Sequence, residues 1–266
     1  MKNSIRQIWA VARVAARSNL AYLGEVASRT FFLAVILFIF LKLWQATYRE
    51  SASAVIGGLS LNQMLWYLTV TEAIYMSAPR LAQQIDEDVR SGALAVRLLK
   101  PISYPLYCLS SALGERIVRF LANFATGAAV TFCLVGPFNC SPAAPIMLLV
   151  AVLLAFVLDG LGHLIIGLWA FWLEDTSGLL LIYTRLSMIL GGMLIPMELF
   201  PDWLKSFVFF LPFPYLVWGP AHLFVHSDWL QFAQLVGLQS LYILLLLAVV
   251  NLIYGWALER ISAHGG

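Results

Sequence analysis

QQIDEDVRSGALAVRLLKPISYPLY, residues Gln83–Tyr107, is the conspicuously polar stretch of a chain that is 61% hydrophobic and only 11% charged. Asp86, Glu87 and Asp88 run directly into Arg90, Arg97 and Lys100. Strongly apolar segments flank it on both sides. A charge at the centre of a membrane helix costs about 2.5–3.5 kcal/mol on insertion scales, so a stretch this charged has to lie in water and separate two spans. A lone polar loop of this kind is expected to serve as a docking surface for a soluble partner.

The rest of the chain fits that reading. A mean hydropathy of +0.85 over 266 residues excludes an ordinary soluble domain, whose apolar share is about one half. The net charge of +2 makes no case for nucleic-acid binding. Cys108, Cys133 and Cys140 have neither metal-ligand spacing nor the pattern of a disulfide framework. The first 28 residues carry Lys2, Arg6, Arg13 and Arg17 without an apolar core, so no signal peptide is expected.

A helix crossing the hydrocarbon needs about 20 mostly apolar residues. Working outward from the loop, six segments qualify: 28–45, 59–77, 114–138, 144–171, 178–199 and 233–258. The expected fold is an all-α membrane protein with six transmembrane helices in one domain, residues 1–266. Cations set the direction. Lys2, Arg6, Arg13, Arg17, Arg29, Arg80, Arg90, Arg97, Lys100, Arg116 and Arg260 fall on one side, and Arg49 and Lys205 on the other, with Lys42 near the outer end of the first span. Both termini and the 83–107 loop are therefore expected in the cytosol. Trp44, Tyr48, Trp169, Trp172, Trp203, Trp218, Trp229 and Trp256 lie near span ends and read as interfacial anchors.

Two further segments stand out. At 100° per residue Lys2, Arg6, Arg13 and Arg17 share one face, with Ile5, Ile8, Val11, Ala12 and Ala15 opposite. Residues 1–25 therefore read as an amphipathic helix in the cytosolic interface. Between the last two spans, residues 197–225 are apolar but interrupted by Pro201, Pro212, Pro214 and Pro220. Irregular backbone at membrane depth has to be buried in protein or line a cavity. A pair of short helices entering from the outer face and returning is expected there.

Ionisable residues inside spans are functional candidates by default. Asp159 and His163 are four apart on one helix face, within hydrogen-bonding reach. They suit either a proton relay or a pair that pins its helix to a neighbour. Glu72, Arg119 and Arg185 are candidates of the same kind, the two arginines being long enough to reach the inner face. No phosphate-binding GxxxxGK[ST], no HExxH and no GxSxG occurs. Catalysis by this chain has no positive support, no metal site or cofactor is expected in it, and active transport would draw on an ion gradient or another polypeptide.

Three features together resemble the type-2 export permeases of the ATP-binding-cassette (ABC) transporters, the ABC-2 type. They are the N-terminal helix, the cytosolic loop after the second span and the outer proline-rich segment. Ser91-Gly92-Ala93-Leu94 followed by Leu98-Leu99-Lys100-Pro101-Ile102-Ser103 looks like that family's loop pattern. Pro196-Met197-Glu198-Leu199-Phe200-Pro201-Asp202-Trp203-Leu204, then Leu211-Pro212-Phe213-Pro214-Tyr215, looks like its outer pattern. The similarity is closest to a short bacterial branch without a fused ATPase. Gly92-Ala93-Leu94-Ala95 departs from the glycine–threonine–leucine–glutamate of many relatives.

The resemblance implies a permease subunit in the bacterial inner membrane, paired with an identical or paralogous permease and docked on two separate ATPase subunits that bind ATP and Mg. It implies a coupling helix at residues 83–107, with Asp86, Glu87, Asp88, Arg90, Gly92, Leu94, Arg97, Leu98, Leu99, Lys100 and Pro101 at the contact. Leu94, Leu98 and Leu99 would pack inward, with Arg97 and Lys100 on the partner or phospholipid side. The outer gate would comprise Pro196, Glu198, Phe200, Pro201, Trp203, Pro212, Pro214 and Tyr215. The rival readings are a proton-coupled secondary transporter using Asp159 and His163, a membrane-embedded enzyme such as a lipid-modifying transferase, and a permease-like sensor.

Overall fold

The computed structural model describes the backbone of residues 2–20, 23–51, 54–138 and 140–264, and side chains within 6–18, 31–51, 54–138 and 140–260. Helices dominate. An N-terminal helix α1 (Lys2–Leu20) precedes a long α2 (Leu23–Glu50), and a small antiparallel ribbon of β1 (Val55–Ile56) and β2 (Leu59–Ser60) leads to α3 (Leu61–Met76). The polar stretch holds two helices, α4 (Leu81–Arg90) and α5 (Ala93–Leu98). Then follow α6 (Tyr104–Val135), α7 (Ala144–Leu168) and α8 (Ser177–Leu190). The proline-rich segment folds as α9 (Asp202–Val208) and α10 (Trp218–Val225), and α11 (Trp229–His264) is the last helix.

Four helices are long and apolar enough to cross a membrane, over Phe31–Glu50, Tyr104–Val135, Ala144–Phe171 and Trp229–Arg260. The other two expected spans are shorter. α3 has 16 residues and α8 has 14, which at 1.5 Å per residue gives about 24 and 21 Å against roughly 30 Å of hydrocarbon. α3 starts late because the ribbon uses Leu59 and Ser60, and Ser60 then caps the helix: Gln63 N donates to its side chain and Gln63 Oε1 accepts from its backbone. α8 was expected to run to residue 199 but stops at Leu190, where the chain turns through Gly191 and Gly192. In contrast α6 begins ten residues before the expected 114, with Pro105 in its first turn, a position where a missing N–H costs nothing.

The packing places α3 and α7 at the centre. Met64 to Ile74 of α3 are buried on every face, as expected of a helix enclosed by others. One apolar cluster joins α3, the first half of α7 and α10; a second joins α4, the start of α6, the end of α7 and α11. α1 lies against α6 so closely that a Cβ on Gly114 would collide with the Ala12 backbone. Arg6, Arg13 and Arg17 remain exposed on its far side, beside Trp9 and Val14, while the side chain of Lys2 lies outside the described residues.

The aromatic belt needs correction. Trp169, Trp203, Trp229 and Trp256 are exposed, as anchors should be. Trp44 and Tyr48 are buried, the Tyr48 hydroxyl donating to the Leu59 carbonyl at 2.5 Å. The Trp218 indole instead donates to Glu198 Oε1 at 3.1 Å.

Candidate functional site

The polar stretch is an amphipathic helix, a break and a short second helix. In α4, Leu81, Ala82 and Ile85 are buried while Gln83, Gln84 and Glu87 are exposed. The Ser91 hydroxyl donates to the Glu87 carbonyl at 2.7 Å and closes the helix. Gly92 then takes φ +74°, left-handed backbone that glycine adopts without strain.

The three consecutive carboxylates go three ways. Asp86 accepts from Arg90 Nε at 3.0 Å and from the Thr176 hydroxyl at 3.1 Å. Glu87 faces solvent. Asp88 is buried, with Arg97 Nη2 at 2.9 Å and the Tyr104 hydroxyl donating at 2.8 Å. Arg90 also reaches Asp175 at 3.3 Å. Hydrogen bonds from the Ser177 backbone N–H and hydroxyl, then Arg90, hold the Asp175 carboxyl below its ordinary value. α4 is thereby clasped to the residues that open α8.

In α5, Leu94 is buried and Leu98 half-buried. Leu99, expected to pack inward, is 85% exposed, and Val96 beside it is 69% exposed. Arg97, expected to face outward, instead turns in towards Asp88. Lys100 Nζ lies 4.1 Å over the Tyr107 ring, and Pro101 is exposed.

Deeper in, Asp159 does not simply pair with His163. Its Oδ2 lies 2.6 Å from Arg116 Nη1 on α6, and its Oδ1 accepts from the Tyr183 hydroxyl of α8 at 2.8 Å. His163 Nδ1 sits 2.9 Å from the Asp159 carbonyl and 3.5 Å from Oδ1. Tyr183 gets this close because residue 162 is glycine; a Cβ there would strike its ring. Arg116 also stacks over Phe156 at 4.3 Å. Four polar residues thus tie α6, α7 and α8 together.

Arg116 was assigned only to topology from sequence; the signal available was its opposite charge to Asp159, each inside an apolar segment. Of the other candidates, Glu72 is buried and forms no hydrogen bond or ion pair among the described residues. Arg119 pairs with Glu115, and Arg185 is exposed on α8.

The proline-rich segment between α8 and α11 is a folded unit. α10 is buried almost throughout, as are Pro196, Pro214 and Tyr215. The Tyr215 hydroxyl donates to the Phe209 carbonyl at 2.6 Å. Glu198 joins Trp218 and His222, with His222 Nε2 at 3.4 Å. Phe200 and Pro212 are partly buried, whereas Pro201 and Trp203 face outward.

A family model described as ABC-2 family transporter protein matches residues 31–265. The chain belongs to the ABC-2 transporter family. The match begins inside α2, at residue 31, and runs through α11, while α1 lies outside it. No curated protein matches the chain. As an ABC-2 permease, the protein is a membrane component of a transporter, and its four long apolar helices agree with a multi-pass membrane protein.

Proposed function

We propose that this ABC-2 permease is the pathway-forming subunit of an ATP-driven exporter in the bacterial inner membrane. Two permease copies, identical or paralogous, enclose the path, and two separate ATPases bind ATP and Mg and dock on the cytosolic side. All six apolar helices cross, the short α3 and α8 with their ends extended by turns, and both termini are cytosolic. α4 and α5 carry the ATPase contact; α9 and α10 form the outer gate.

The observation that carries the reading is the exposed tip of α5. Val96 and Leu99 are apolar yet stand open at 69% and 85%, beside a helix whose opposite face is firmly seated. Exposed apolar side chains rimmed by charge, here Glu87, Arg90 and Lys100, suit a protein contact. A push on α4 would pass through Asp86–Thr176 and Arg90–Asp175 into α8. Such a push requires contacts that differ between nucleotide states, since only differential interaction shifts an equilibrium.

Glu87→Lys with Leu99→Asp tests it, because neither side chain has an internal partner to lose. In liposomes holding permease and ATPase, the pair is expected to abolish ATP-dependent export while leaving the permease folded. Full export by this variant overturns the contact. The proton-coupled alternative has Asp159 as its main support, but that carboxylate is already engaged by Arg116 and Tyr183, which suits a fixed link better than a proton carrier. Export that survives vanadate and collapses with a protonophore would favour the alternative.

A further inference from the structure

A cavity of about 220 Å³ lies between α3, α7, α8 and the start of α4. Its polar lining includes Arg80, Gln83, Arg116, Asp159, His163 and Ser187. Ile74, Leu180, Leu216 and Val217 supply apolar wall. We infer that this cavity binds the headgroup of an anionic amphiphile, one phosphate or carboxylate on an alkyl chain. The inference names a substrate class for the pathway proposed above and rests on that reading.

Three observations converge on it. The first is charge. Asp159 is balanced by Arg116 at 2.6 Å, so the pair offers no net attraction to a cation. Arg80 is exposed at the cavity edge and its guanidinium forms no hydrogen bond or ion pair among the described residues. Arg80 also lines the adjoining cleft with Glu87 and Glu115, but Glu115 is engaged by Arg119 and neither carboxylate forms an ion pair with Arg80. An incoming cation would meet a guanidinium with no ion-pair partner; an incoming anion would supply one.

The second is an available amide. Gln83 lines the cavity one turn from Arg80, and its side-chain amide forms no hydrogen bond among the described residues. Its N–H groups can therefore donate to an oxyanion held by Arg80.

The third is size. With a water occupying about 30 Å³ in the liquid, 220 Å³ holds a headgroup and not a whole lipid. The tail has to lie elsewhere, and the α8 residues that line the cavity are flanked by exposed Leu181, Ile182, Leu186 and Ile189. Headgroup inside and chain along α8 is the arrangement this shape accepts.

The test is equilibrium binding of radiolabelled dodecyl phosphate to the full chain in phosphatidylcholine nanodiscs, with empty nanodiscs subtracted. Saturable binding is expected, with Arg80→Gln weakening it about tenfold, the loss of one charge-assisted hydrogen bond. Ser187→Leu, which fills the cavity, is expected to abolish it. Inorganic phosphate and dodecyltrimethylammonium at equal concentration are expected not to compete.

Equal competition by the cation overturns the charge assignment, and equal competition by inorganic phosphate shows a small-anion site with no role for the tail. Unchanged binding in Arg80→Gln places the ligand outside the cavity, and this exposed variant keeps the test decisive if Ser187→Leu does not fold. No ATPase and no transport enter the measurement. A chain that binds but does not export therefore fails the permease reading and not this one.

Discussion

The Thr176 hydroxyl donates to Asp86 Oδ1 at 3.1 Å, joining the polar helix α4 to the turn that opens α8 across 90 residues of sequence. Arg90–Asp175 at 3.3 Å doubles the link. Exposed ion pairs are worth about 0–1 kcal/mol, so the clasp contributes little to global stability; under the proposed function its value is mechanical. Thr176→Val with Arg90→Gln is expected to leave the melting temperature within about 4 °C of the parent, on a slope of roughly 2–4 °C per kcal/mol for a chain of this size. Amide exchange at the first turn of α8 should quicken, and the ratio of transport to ATP hydrolysis should fall severalfold in liposomes.

Arg116 and Asp159 are both buried, and their oxygen–nitrogen distance is 2.6 Å. Removing one partner strands the other charge, at a cost of about 3–5 kcal/mol. Asp159→Leu and Arg116→Met are each expected to destabilise the protein by that order. The double variant should recover most of the loss, since an apolar pair leaves no buried charge. Unfolding in mixed micelles of all four forms provides the double-mutant cycle; additive losses would mean the pair does not act as a unit.

α1 depends on close approach to α6 at Gly114, where any Cβ meets the Ala12 backbone. Gly114→Leu is expected to lift α1 while α6 stays helical. Tryptic cleavage after the exposed Arg13 and Arg17 should accelerate at least tenfold, with little change in helical circular dichroism.

His222 faces Glu198 at 3.4 Å and stacks on Trp218, with His226 one turn away and Ser141, Asp228 and Gln231 around the same opening. Burial holds its imidazole below the ordinary 6.5; Glu198 pulls the other way, and His226 adds to the lowering. The unfolded chain therefore takes up this proton first. The contribution to native stability is complete above about pH 6.5 and is lost as pH falls through the lowered folded value. Between pH 8 and 5, His222→Gln should flatten part of the decline in melting temperature relative to the parent.

Gly92 has open space around it but a φ of +74°. Gly92→Ala is therefore expected to cost about 1–2 kcal/mol through backbone strain alone. A chemical-shift change confined to residues 90–95 is the matching signature.

Local chemistry was legible in the sequence wherever it was written within a few residues. The helix break at Gly92, the amphipathic α1 and the paired short helices between prolines all follow from neighbours in the chain. The clasp and the charge cluster were not, because Asp86 meets Thr176, and Arg116 meets Asp159, only after helices pack side by side. The face taken by Leu99 was misread for a related reason. α5 has six residues, too few turns for periodicity to say which side faces inward. Span lengths failed where turn residues sit inside apolar runs, since hydropathy registers Gly191 and Gly192 as harmless while the backbone uses them to stop α8.

Leu99 has a consequence in the life of the protein before any substrate moves. A subunit made without its partner displays an oily side chain in water, the kind of feature that chaperones and membrane proteases recognise. Docking would hide it. If the ATPase covers this tip, the same leucine makes unassembled permease short-lived, and subunit stoichiometry is then enforced by degradation rather than by matched synthesis.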